Sequence, residues 1–171
     1  MNGSSWSKHV ADVLRRNGIR TFATVPDSIV GQVLEHLRVD GECRVVTVQR
    51  EEEGVGILSG AWLAGKMGAL LMQNSGLGNC VNALASLNTA TRIPMVLVMS
   101  QRGDIGEFNP AQVPMGQFIE PLLGVLGIRY IRPRTIGELE AHADGLISLA
   151  HVSAMPVGIL LPSVLTGGKP A

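Results

Sequence analysis

Charge is what this chain has least of. Only 16% of its 171 residues are charged, and the 14 Lys+Arg offset the 14 Asp+Glu to a formal net charge of +0. With no excess of either sign there is no field to gather nucleic acid or an acidic membrane surface, and neither partner is expected. Cysteine is nearly missing too. Cys43 and Cys80 have no C-x-x-C spacing, which excludes a disulfide framework and a zinc site and suits a reducing, cytoplasmic setting. The longest purely apolar stretch, Met95 to Met99, is far short of the roughly 20 residues needed to cross a bilayer, and no secretory leader pattern opens the chain. His9, His36, His142 and His151 form no paired metal motif. No G-x-S-x-G elbow supports a serine nucleophile, and Cys80 is expected to pack as a small helix residue. Without metal cluster, nucleophile or phosphate loop, an enzymatic role needs chemistry lent by an organic cofactor.

Apolar side chains, in contrast, are abundant. Hydrophobic residues make up 46% of the chain and mean hydropathy is +0.26. In one domain of this length, whose surface should be wet, that surplus predicts a face covered by a permanent partner or by further copies of the chain.

The periodicities predict an α/β domain. Trp6, Val10, Val13 and Leu14 fall at helical spacing, and Gly18 marks a stop before a strand at Ile19 to Val25. Further strands are expected at Arg44 to Val48, Ala69 to Gln73, Pro94 to Ser100, Ile128 to Ile131 and Val157 to Leu161, with helical patterns between most of them. These six runs are nearly continuous in apolar character, as in a parallel sheet covered by helices on both faces. Asp27 or Ser28 is placed to cap the helix carrying Ile29, Val30, Val33, Leu34 and Leu37. Thr135 and Glu138 have capping-box spacing ahead of the last long helix. The stretch from Gln101 to Pro114 lacks periodicity and reads as a long functional loop at a strand's C-terminal end. Residues 1–165 form a single domain in this reading, with 166–171 as a flexible tail.

If the sheet is parallel, three loops converge on one edge: Pro26-Asp27-Ser28, Glu51-Glu52-Glu53-Gly54 and Asn74-Ser75-Gly76-Leu77-Gly78-Asn79. The glycines of the last loop suit turn geometry better than a dinucleotide loop, because no G-x-G-x-x-G is complete. The acidic run suits a helix N-terminus, yet the helix behind it carries Gly54, Gly56, Gly60 and Gly65. Each glycine in a helix interior costs about 1 kcal/mol relative to alanine. Such a helix must pack closely against something.

These segments carry a resemblance. Arg50-Glu51-Glu52-Glu53-Gly54, the loop Gln73 to Asn79, the Arg102-Gly103-Asp104-Ile105-Gly106-Glu107 segment and Ala111-Gln112-Val113-Pro114-Met115-Gly116 follow one another in order. They resemble the pyrimidine-binding domain of thiamine-diphosphate enzymes, and in particular the α subunits of sulfopyruvate decarboxylases; phosphonopyruvate decarboxylases are similar in the Val25-Pro26-Asp27-Ser28 and Gln73 to Asn79 segments.

The resemblance implies a thiamine-diphosphate fold and a 2-oxoacid decarboxylase. It implies that Glu52 hydrogen-bonds the aminopyrimidine ring and tunes its tautomer, with Glu51 and Glu53 as neighbours. It places Asn74, Ser75, Gly76, Leu77, Gly78 and Asn79 beside the cofactor, and Asp27 with Ser28 at the reaction centre. Asp27 stands there as proton donor or relay, or else simply as a helix cap. Arg50 and Arg102 are candidates for a substrate carboxylate or sulfonate, unless they pair with Glu51 or Glu107. Gln112 reaches substrate or serves loop folding. The diphosphate and Mg²⁺ segment of such enzymes has no counterpart here, so a β subunit is expected to supply it, with the cofactor held between the two chains.

Overall fold

A computed structural model describes residues 5–39 and 41–168. Helix α1 (Trp6–Arg16), strand β1 (Thr21–Thr24), helix α2 (Ser28–Arg38), strand β2 (Arg44–Thr47), helix α3 (Glu51–Leu63) and strand β3 (Gly68–Gln73) come first. Helix α4 (Gly76–Ala83) continues as a π-helical segment, Leu84–Thr89. Strand β4 (Val96–Ser100), helix α5 (Val113–Val125), strand β5 (Arg129–Ile131), helix α6 (Ile136–Ser153), strand β6 (Val157–Leu161) and a short helix α7 (Ser163–Thr166) complete the order. The six strands form one sheet in the order β2-β1-β3-β4-β6-β5, and every pairing is parallel.

Both faces of the sheet are buried, and alternate strand residues serve opposite cores. Phe22, Leu71, Val98 and Ile159 point toward α1, α2 and α6, whereas Ala23, Leu70, Met99 and Leu160 point toward α3, α4 and α5. Gly54 explains part of the glycine content of α3. A Cβ there would come within 2.7 Å of the Leu70 side chain and 3.1 Å of the Ala23 Cβ, so the helix lies on the sheet at a distance other residues do not permit.

Several boundaries differ from those expected. Strand β4 starts at Val96 and not at Pro94, as befits a proline that has no N–H for the ladder. The stretch expected as loop to Pro114 contains a 3-10 turn at Pro110–Gln112 and ends where α5 begins at Val113. Pro114 fits in the first helical turn, where its missing N–H has no partner to lose. The Thr135 cap forms, with Glu138 N donating to Thr135 Oγ1 at 3.2 Å; the Glu138 carboxylate reaches Arg134 N at 2.7 Å, one residue before the cap. Thr166, expected to begin the loose tail, closes α7, and Gly167 caps it at φ 82°. Residues 169–171 of that tail lie outside the described residues.

Candidate active site

Parallel registry brings the carboxyl ends of β1, β3 and β4 side by side, with Thr24 opposite Leu71 and Gln73 opposite Ser100. The loops that follow these strands therefore meet on one edge, the usual place for ligands in an open α/β sheet.

Asp27 caps α2. Its Oδ1 accepts from Ile29 N at 3.0 Å, from Val30 N at 3.2 Å and from Ser100 Oγ at 3.0 Å. Of the two expected cap residues it is therefore Asp27 that serves, and Ser28 is exposed at the first helical position. The Ser100 contact ties the β1 loop to the end of β4, so the carboxylate is held across two loops.

The acidic run divides by helical geometry. Glu51 lies one turn before Val55 and two before Leu58, on the packed side of α3. Its Oε2 accepts from Asn79 Nδ2 at 2.7 Å, and a Cβ on Gly76 would sit 2.6 Å from its Cγ and Oε1. Glu51 thus enters the β3–α4 loop, and glycine at position 76 makes room for it. Glu52 turns to Arg50, whose Nε donates to Oε1 at 2.5 Å; its other oxygen, Oε2, is enclosed without a hydrogen-bond partner. The Arg50 contact holds the Glu52 carboxyl below its usual range. Glu53 is exposed and closes the helix start by accepting from Gln49 N at 3.2 Å. Glu51, set beside Glu52 by the sequence as a neighbour, is the carboxylate in direct contact with the loop. The signal for it was the four- and seven-residue spacing to Val55 and Leu58.

The loop from Asn74 to Asn79 is partly structural. Asn74 is fully buried, and its amide spans the Arg102 backbone, donating to Arg102 O at 2.9 Å and accepting from Arg102 N at 3.2 Å. Leu77 is wholly buried in the core, while Gly78 and Asn79 are exposed at the edge. Ser75 Oγ accepts from Gln73 Nε2 at 2.6 Å, and the same amide donates to Gln112 Oε1 at 3.0 Å. Gln112 is thereby brought from the β4–α5 connection to the β3 edge.

Arg102 adopts the pairing left open by the sequence. Its Nε and Nη2 donate to Glu107 at 2.6 and 2.5 Å, its guanidinium lies 5.3 Å from the Phe108 ring centre, and its side chain is 11% exposed. Arg50, at 63% exposure, keeps its guanidinium in solvent beside Glu52. Cys80, on α4, is buried in the core on the α3, α4 and α5 side of the sheet; burial, then the charges of Glu51 and Glu52, pushes its thiol up to about 12. It is inert as a nucleophile.

A carboxylate pair at a helix start, an enclosed carboxylate oxygen without a partner and a convergent set of amides and hydroxyls suit an organic ring bearing N–H groups. Among the described residues no group of three metal-ligating side chains occurs.

The sheet, its order and this edge define a thiamine-diphosphate-type domain, and residues 5–109 match the family described as thiamine pyrophosphate enzyme, N-terminal TPP binding domain. More particularly, the chain belongs to the family of sulfopyruvate decarboxylase α subunits. It is 39% identical to the sulfopyruvate decarboxylase subunit alpha of Methanococcus maripaludis over 92% of this chain and 95% of that one. It is 37% identical to the phosphonopyruvate decarboxylase of Streptomyces viridochromogenes over 90% of this chain but 39% of that longer one. Among solved structures it resembles a 2-oxoglutarate:ferredoxin oxidoreductase from Magnetococcus marinus, with a TM-score of 0.78 at 17% identity over 95% of this chain and 29% of that one, a likeness of fold alone.

Proposed function

We propose that this chain is the α subunit of a thiamine-diphosphate-dependent carboxy-lyase that converts 3-sulfopyruvate to sulfoacetaldehyde and carbon dioxide. The observation that carries the reading is end-to-end identity with a sulfopyruvate decarboxylase α subunit, 39% over 95% of that protein. The phosphonopyruvate decarboxylase matched by this chain is a longer polypeptide. What the extra length holds there is assigned here to a β subunit, which brings the diphosphate and Mg²⁺ site and docks so that the cofactor lies between the chains, in an assembly holding further copies of this chain.

When bound, thiamine diphosphate supplies the electron sink for decarboxylation. This chain's residues orient the pyrimidine half and the substrate. The ring contact falls to the Glu51–Glu52 pair. Glu52 offers its enclosed Oε2 as an acceptor for a ring N–H, the role the resemblance implies. The Asn79 contact favours Glu51 for the same role, because it fixes a carboxylate against the loop expected to line the ring. Asp27, braced by Ser100, holds or returns a proton at the reacting carbon. Ser28, Gln112 and the exposed Arg50 face the substrate side, and Arg102 contributes by bracing the loop.

The test reconstitutes the chain with its β subunit, thiamine diphosphate and Mg²⁺. Carbon dioxide release from sulfopyruvate is expected; release from phosphonopyruvate alone would transfer the assignment to that substrate. Replacing the essential carboxylate should slow turnover by about 10²- to 10⁴-fold with assembly intact, so comparing Glu51→Gln with Glu52→Gln identifies it. Full activity in both variants would overturn the site.

A further inference from the structure

Glu107 is almost fully enclosed, with 5% of its side chain exposed, and four N–H groups converge on its carboxylate. Arg102 donates through Nε and Nη2, Gly103 N donates at 2.9 Å and Asn109 N at 3.0 Å. These donors come from both limbs of the turn that follows β4, so one carboxylate closes that turn upon itself.

Besides the ion pair of Asp104 with Arg132 at 2.5 Å, the turn is joined to the β3–α4 loop and to the start of α5. Asn74 grips the Arg102 backbone from the β3–α4 loop. Gly103, at φ 74°, lies so close to the start of α5 that a Cβ would fall 2.2 Å from Gln112 O, while a Cβ on Gly116 would fall 2.5 Å from Gly103 O. Gln112, whose backbone is thus seated on Gly103, directs its side chain to Gln73. Glu107 touches none of the groups assigned to cofactor or substrate, yet it sets the placement of Gly103 and, through it, of Gln112.

We infer that Glu107 is a positioning residue whose charge holds the β4–α5 connection in the form that presents Gln112 to the 2-oxoacid. The inference rests on the substrate-side role proposed for Gln112. Arg102 is then a strut, needed as the cationic partner of Glu107 and not as the anion receptor. Glutamine at 107 keeps the shape but places an amide N–H₂ among donors and leaves the enclosed Arg102 guanidinium without its hydrogen-bonded carboxylate, with only the more distant Asp27 charge to offset it.

The test is a double-mutant cycle in the reconstituted α/β complex with thiamine diphosphate and Mg²⁺. Glu107→Gln is expected to raise KM for the 2-oxoacid by about tenfold or more, within the range that a misplacement of about 1 Å can produce, with thiamine diphosphate affinity unchanged. Gln112→Ala should raise KM similarly, and Glu107→Gln/Gln112→Ala should be no worse than Gln112→Ala alone. Glu107→Asp, which keeps the charge on a shorter stem, should fall between wild type and Glu107→Gln. Additive losses, or wild-type KM in Glu107→Gln, would overturn the inference. Amide hydrogen exchange on the same complexes reads the turn without substrate: residues 103, 109 and 112 should exchange faster in Glu107→Gln while Leu77 and Cys80 keep their protection. A wild-type complex without decarboxylase activity would remove the proposed function, whereas unchanged exchange in Glu107→Gln would remove the positioning role.

Discussion

The two helical layers of this domain cover one sheet with similar apolar cores but meet solvent differently. On the α1, α2 and α6 side, charges are dense and paired: Lys8 with Asp12 at 2.6 Å, Arg15 with Asp12 at 2.8 Å, and Arg16 with Glu140 at 2.9 Å and Asp144 at 2.8 Å. On the α3, α4 and α5 side there is no Asp, Glu, Lys or Arg from Gly54 to Gly65 or from Gly76 to Thr91, and Glu120 stands alone in α5. Both layers expose apolar side chains, Leu63 at 79%, Phe118 at 57% and Val125 at 87% on this side and Leu149 at 40% and Val152 at 83% on α6, so the difference between them lies in charge. A charged layer suits water, and we propose the uncharged one, with its many small residues, as the side offered to the β subunit. The scarcity of charge thus falls on the layer that includes Glu51, Glu52 and Asn79.

Paired substitutions give the strongest way to break this comparison. Gly60 on α3 and Gly145 on α6 are both exposed, and a Cβ on either meets nothing within 4 Å. Lysine at either site should leave the isolated chain folded and raise its stability by up to about 1 kcal/mol, the glycine penalty removed. In the complex the two should part. Gly60→Lys is expected to abolish co-purification with the β subunit and reduce decarboxylation by more than about a hundredfold, as an unpaired charge is buried at an interface. Gly145→Lys should assemble and turn over as wild type. Native mass spectrometry and carbon dioxide release check both, and equal behaviour would remove the distinction between the layers.

A smaller effect is expected at the junction of the uncharged layer with the site. Alanine at Gly76 must displace the Glu51 carboxylate, 2.6 Å from the added Cβ. Decarboxylation should fall about ten- to a hundredfold while the thermal midpoint moves by only a few degrees. A large loss of stability with normal activity per folded complex would show that Glu51 merely fills space.

Smaller still is an acid effect at Glu107. Hydrogen bonding from Arg102, chiefly, holds its carboxyl at about 2 against an ordinary value of 4.5. Because the folded value is the lower one, the stabilisation is full above pH 4.5 and is lost as pH falls toward about 2. The stability gap between wild type and Glu107→Gln should therefore shrink through that window in acid-unfolding experiments, and a gap independent of pH would contradict the assignment.

Most of the architecture was legible because it rests on local signals. Six short apolar runs announced strands covered on both faces, Asp27 or Ser28 announced a cap, and small residues in α3 announced close packing. The site was legible as a set of loops but not as contacts. Three consecutive glutamates carry the same chemistry, and only their angular positions on α3 send one to Asn79, one to Arg50 and one to Gln49 N. Arg102 invited an anion-binding reading because guanidinium chemistry permits it; the partner five residues on is reached only by the folded turn. Gly103 and Gly116 looked like motif letters, and their purpose is a backbone contact across 13 residues of sequence that leaves no periodic trace.

The charged layer offers the mildest test, and its mildness is the point. Asp144 is 52% exposed and accepts from Arg16 Nε at 2.8 Å and from Asn17 Nδ2 at 2.6 Å, and these partners hold its carboxyl below its ordinary value. Water competes for each of these groups, and Arg16 retains Glu140 when Asp144 is neutralised. Asp144→Asn should therefore cost no more than about 1 kcal/mol in urea unfolding at low salt, less at high salt, and nothing in assembly or turnover. A loss of association with the β subunit in this variant would mean that the charged layer, too, belongs to an interface, and that water-facing and partner-facing sides of the sheet are not divided as the distribution of charge divides them.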